Sequence, residues 1–73
     1  MTSKTAINRI RVVLAEQDRT NKWLSEKVDK SRTTVSRWCT NNMQPSLETL
    51  IEIAKALDVD VRELLNPTKK DEK

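Results

Sequence analysis

The sequence predicts an all-α fold, a compact five-helix domain around one small core, and three observations carry that prediction. Apolar residues recur at spacings of three and four in separate stretches, the period of a helix with one buried face. Thr20, Ser31, Ser46 and Asp60 precede four of these stretches, where a side-chain oxygen can take an orphan N–H of the first turn. No segment of useful length alternates apolar with polar residues as a half-buried strand does.

Met1 to Thr5 is polar and expected to fray. Ile7, Ile10, Val13 and Leu14 then place helix 1 at about Ala6 to Gln17, with Val12 off the stripe and partly exposed. Thr20 caps helix 2, Asn21 to Val28, in which Leu24 and Val28 face the core. Asp29-Lys30-Ser31 is a tight turn into helix 3, capped by Ser31 and anchored by Val35 and Trp38. Thr40 to Pro45 is a polar loop. Ser46 caps helix 4, Glu48 suits its first turn, and Leu47, Leu50, Ile51, Ile53, Ala54 and Leu57 give it a broad apolar face. Asp60 and Glu63 make a box-like start for a short helix 5 carrying Val61, Leu64 and Leu65, stopped at Asn66-Pro67. The folded domain thus spans 6–66, between a flexible stretch 1–5 and a charged, disordered tail 67–73.

The chain contains no glycine. Turns between helices often need a left-handed residue, and Asp and Asn tolerate that conformation best after glycine. Asp29, and Asn41 or Asn42, are the candidates, each carrying strain that glycine would relieve.

Composition narrows the function. Seventy-three residues make one domain with a small core, burying about 60% of the unfolded chain's surface. No apolar run approaches the ~20 residues of a membrane span, and no secretory signal is visible. The single cysteine, Cys39, cannot form an internal disulfide and fits a reducing, cytoplasmic setting. With no histidine and one cysteine, neither a zinc site nor a Cys–His or Ser–His pair is expected, so no cofactor and no enzyme activity are expected. The net charge of +3 is uneven: nine basic against four acidic residues up to Pro45, five against seven beyond it. A basic half suits a phosphate-binding surface.

The basic half contains SRTTVSRWCTN, Ser31 to Asn41. With Val35 and Trp38 facing inward, Arg32, Thr33, Ser36 and Arg37 cover the opposite face, and no acid occurs in the run. An ordinary solvated helix usually mixes in Glu or Asp. Short hydroxyls with arginines suit a DNA major groove, where an arginine fork meets guanine N7 and O6 and hydroxyls serve phosphates or base edges.

Asn21 to Thr40, NKWLSEKVDKSRTTVSRWCT, resembles the helix-turn-helix of phage-repressor and Cro-type regulators, the Xre family. The likeness runs from about Ile10 through PSLETLIEIAKALDVDVRELLN, roughly four-fifths of the chain. It implies a repressor-like domain with helix-turn-helix at helices 2 and 3. It also implies DNA contacts at matching positions: Arg32, Thr33, Ser36 and Arg37 to bases, and Asn21, Lys22, Thr34, Asn41 and Asn42 to phosphates. The chain departs from the family at several places. Ser25 replaces a usual alanine, and Asp29 and Asn41 stand where glycine is common. Leu14 and Cys39 replace an Arg–Glu pair, an ion pair exchanged for an apolar contact. Arg19 replaces an apolar residue, leaving a gap that Trp23 either fills or, being exposed instead, leaves open while it touches DNA or a partner.

The expected function is therefore a sequence-specific transcriptional regulator, cytoplasmic and nucleoid-associated, with double-stranded DNA as partner and no membrane or small-molecule ligand. The alternatives are the antitoxin of a toxin–antitoxin pair, or a protein-interaction module on the same fold. A weak homodimer through the helix 5 region, using Val59, Val61, Leu64 and Leu65 and strengthened or formed only on DNA, is expected; the alternative is a monomer in which all four are core.

Overall fold

The computed structural model describes residues 6–69; the stretches 1–5 and 70–73, which include the expected flexible start and the end of the expected tail, lie outside the described residues. The described chain is helical, with four α-helices, α1 (Ile10–Glu16), α2 (Asn21–Lys27), α3 (Arg32–Cys39) and α4 (Leu47–Leu57), and a closing 3-10 turn, Val61–Leu64. None of these helices is long and apolar enough to cross a membrane.

Three of the four α-helices begin where their capping residue dictates. Thr20 Oγ1 accepts from Trp23 N at 3.0 Å, Ser31 Oγ from Thr34 N at 3.1 Å, and Ser46 Oγ from Thr49 N at 3.1 Å. Each satisfies a donor that the first turn leaves without an intrahelical acceptor.

The first helix starts later than its apolar spacing predicts, at Ile10 rather than Ala6. The preceding residues are extended and tied to the far end of the chain. Arg9 N donates to Leu64 O and Asn66 N to Ile7 O, both at 2.9 Å, around an isolated antiparallel bridge between Asn8 and Leu65. Ile7, read from the sequence as a core residue, is consequently 55% exposed. Asn8 is buried instead, and its Oδ1 accepts from Ile10 N at 3.0 Å. That local Asx bond offers the backbone an alternative to continuing the helix upstream.

The closing segment is also shorter than expected. Asp60 Oδ1 accepts from Arg62 N at 2.9 Å, and Glu63 N donates to Asp60 O at 2.8 Å, the i to i+3 bond of a 3-10 turn. Leu65 is already extended, because the bridge to Asn8 requires it.

The core draws Ile10, Val13 and Leu14 from α1, Leu24 from α2 with Val28 at its end, Val35, Trp38 and Cys39 from α3, and Leu50, Ile53, Ala54 and Leu57 from α4. Leu64 closes it, fully buried, while Val59 and Val61 pack partly buried against it. The apolar surplus expected around helix 5 is thereby reduced to Leu65. Leu47 and Ile51, counted from the sequence in the apolar face of helix 4, are exposed.

Without glycine, the chain places an Asp or Asn in the left-handed region after each of the four α-helices: Asp18 (φ 62°), Asp29 (φ 57°), Asn41 (φ 62°) and Asp58 (φ 58°). Asp29 and Asn41 are among the expected positions; Asp18 and Asp58 are two more, and Asn42 is not one of them.

Candidate nucleic-acid interface

The α2–α3 unit is held by short-range chemistry. Ser25 is buried, small enough to let the helices approach, and its hydroxyl donates to Lys22 O at 2.8 Å. Lys30 N then donates to Ser25 O at 3.0 Å, across the turn that Asp29 makes. At the other end Cys39 Sγ lies 3.5 Å from Asn21 Oδ1, joining the end of α3 to the start of α2. Cys39 is therefore not solely an apolar replacement; it sits in the core cluster with Leu14 and makes one weak polar contact. Burial pushes its thiol above the ordinary range, against the pull of the Arg11 charge.

This frame turns Val35 and Trp38 inward and leaves Arg32, Thr33, Ser36 and Arg37 exposed along one surface of α3. Among the described residues neither Arg32 nor Arg37 enters an ion pair; the three pairs there are Arg9–Glu16, Lys22–Glu26 and Arg62–Asp60. Among the described residues the two guanidinium groups thus stand without a carboxylate, on a helix that carries no acid. An arrangement of this kind can present bidentate donors to an anionic or base-edge acceptor.

The residues expected to meet phosphates divide into two groups. Asn21 and Lys22 are exposed at the start of α2, Lys22 with its ammonium 3.2 Å from Glu26. Asn42 is exposed beyond α3. Thr34 and Asn41 are only half-exposed and already serve the fold. The Thr34 hydroxyl accepts from Ser31 Oγ at 3.0 Å, and the Asn41 side chain holds the segment before α1 through Ile7 N and Asn8 N, both 2.9 Å from its Oδ1.

One feature escapes the sequence reading. Asn8 Nδ2 donates to Trp38 O at 2.9 Å and Gln44 Oε1 at 2.7 Å, fixing the loop after α3 from a residue thirty positions upstream. Trp23 is half-buried against the core, with the Arg19 guanidinium 4.4 Å and the Lys27 ammonium 5.7 Å from its ring centroid. The gap expected over Arg19 is thus covered by a ring that the arginine itself caps. Among the described residues there is no group of three or more His, Cys, Asp or Glu suited to a metal ion.

Comparison with known proteins agrees with the fold. Residues 7–64 match the helix-turn-helix family model. A crystal structure of a candidate DNA-binding protein from Bacteroides fragilis is 57% identical, with a TM-score of 0.81 over 82% of this chain and 97% of that one. The N-terminal DNA-binding domain of SinR from Bacillus subtilis is 27% identical, with a TM-score of 0.70 over 85% of this chain and 91% of that one. No curated protein sequence matches significantly.

Proposed function

The chain belongs to the Xre-type helix-turn-helix family, and from that premise we propose that it is a sequence-specific DNA-binding transcriptional regulator that reads the major groove with α3. The observation that carries the reading is the outer face of α3: Arg32, Thr33, Ser36 and Arg37 exposed together, the two arginines without carboxylate partners among the described residues. In this reading Arg32 and Arg37 meet guanine edges, and Thr33 and Ser36 meet neighbouring edges. Asn21, Lys22, Thr34 and Asn42 sit against phosphates, fixing register without reading sequence. Asn41 supports that backbone contact by shaping the loop that presents Asn42.

One such helix spans few base pairs, and helix-turn-helix proteins gain specificity by pairing, with reading helices ~34–36 Å apart on successive major grooves. A homodimer on a palindromic operator is the corresponding arrangement here. In vitro selection of bound duplexes from a random pool, followed by gel shifts at two salt concentrations, tests the reading. It expects an enriched half-site whose affinity falls with salt. Recovery of no enriched sequence, with uniform weak binding to all duplexes, overturns it.

A further inference from the structure

We propose that the apolar stripe formed by Met43, Leu47 and Ile51 seats a second copy of this chain, the two α4 helices crossing antiparallel near Ile51. The inference rests on the DNA-binding reading for its setting and adds the surface through which two protomers pair. On α4 the inward residues Leu50, Ile53, Ala54 and Leu57 are all buried. On its flank Leu47 is 78% exposed and Ile51, one turn on, 46%. Met43, in the loop just before, is 42% exposed. Half of the large exposed apolar residues of the described chain thus fall within nine positions, with none of its described elements over them. α4 packs instead against α2 and the closing turn.

Charge identifies the occupant. Lys55 continues the stripe one turn beyond Ile51, and Glu48 borders its start; neither enters an ion pair among the described residues. Two copies crossing antiparallel at Ile51 bring each Lys55 beside Leu47 and Glu48 of the other copy. The lysine stem then covers the leucine while its ammonium meets the carboxylate. A parallel crossing sets Lys55 on Lys55 and Glu48 on Glu48. Such self-complementarity is what a two-fold contact needs, since the same patch must serve on both sides.

Position agrees as well. Met43 N donates to Arg37 O at 3.2 Å, so the stripe begins where the reading helix ends. Pairing there leaves Arg32, Thr33, Ser36 and Arg37 uncovered, with one reading helix on each side of the two-fold axis. Three partly exposed side chains per copy fall short of the about 1,200 Å² of a stable interface. The free protein therefore pairs weakly, and a two-site duplex supplies the effective concentration that completes it.

The test has two arms. In the free protein, methyl chemical shifts are followed from micromolar to millimolar concentration. On DNA, binding is compared between the palindromic duplex recovered by selection and a single half-site. Leu47 and Ile51 methyls are expected to shift with concentration, and the full duplex to bind two protomers cooperatively. Leu47→Glu and Ile51→Glu, both at exposed positions and checked for folding by circular dichroism, should remove the shifts. They should also lower affinity for the full duplex at least about tenfold while leaving the half-site unchanged. Lys55→Glu should weaken cooperativity, and Glu48→Lys with Lys55→Glu should restore it. Undiminished cooperativity in Leu47→Glu, or concentration-dependent shifts centred on Leu65, would overturn the assignment. Loss of DNA binding in the unaltered protein with the methyl shifts intact would overturn the function reading and leave the surface standing.

Discussion

Asn8 and Asn41, thirty-three positions apart, hold each other through both ends of one amide: Asn41 Oδ1 accepts from Asn8 N at 2.9 Å and Asn41 Nδ2 donates to Asn8 O at 3.2 Å. Asn41 Oδ1 also takes Ile7 N at 2.9 Å and Gln44 Nε2 at 3.2 Å. The residue that ends α3 in a left-handed conformation is therefore also the latch for the segment before α1.

That double duty separates four positions with nearly the same backbone. Asp29→Gly relieves a left-handed Asp and is expected to stabilise by up to ~1 kcal/mol, the gain limited by the added freedom of glycine in the unfolded chain. Asn41→Gly relieves the same strain but leaves the Ile7 and Asn8 N–H groups without acceptors, a net cost of about 1–3 kcal/mol. Urea denaturation of both variants checks the contrast. Equal stabilisation by the two would show that the latch contributes nothing.

What the sequence made legible is what is local. Thr20, Ser31 and Ser46 bond to an N–H three residues on, so each cap could be read beside the helix it opens, and α2, α3 and α4 begin where expected. Ile7 misled because its spacing from Ile10 fits a helix, while the bonds that hold it extended come from Asn66 and Asn41. Nothing within a turn of Ile7 announces them. Leu47 and Ile51 misled in the opposite sense, since a broad apolar face does not say which edge its own chain covers. The exposed face of α3 was legible for the same reason as the caps: Val35 and Trp38 define the inside, and Arg32 and Arg37 follow by geometry. Thr34 and Asn41 were legible as polar residues near that face, but not as residues whose side chains the fold already uses.

Leu14 and Cys39 share one core cluster at the positions where the family resemblance implies an Arg–Glu pair, and the exchange can be run backwards. Leu14→Arg alone buries a charge without a partner and is expected to destabilise by about 3–5 kcal/mol. Adding Cys39→Glu should recover part of that loss. A double-mutant cycle by chemical denaturation measures the coupling, and additive losses would show that the two sites do not meet.

The buried Cys39 thiol should weaken the fold at alkaline pH. Burial raises its pKa in the folded state, so above 9.0, the ordinary value, the unfolded chain releases this proton while the folded chain retains it. The folded state then binds more protons, and stability falls as pH rises through that window. No tyrosine titrates nearby to obscure the effect, since the chain has none. Denaturation between pH 7 and pH 10.5 should show the decline in the natural protein and a shallower one in Cys39→Ala. Because the Arg11 charge pulls the thiol down, Arg11→Ala should steepen it.

Base reading and phosphate holding should come apart under mutation. Arg32 and Arg37 are exposed on α3 with no carboxylate partner among the described residues, so each is available to grip a base edge. Arg32→Ala and Arg37→Ala should each cost about 1–3 kcal/mol on the selected duplex and relax preference at one position of the half-site. Lys22, already 3.2 Å from Glu26, must exchange that pair for a phosphate. Lys22→Ala should weaken binding evenly across sequences and flatten the dependence of log K on log salt by about 0.9. Repeating the selection with each variant, alongside salt titrations, distinguishes the two classes. If Arg32→Ala and Arg37→Ala lower affinity equally for every sequence, both arginines hold phosphate and base choice lies elsewhere on α3.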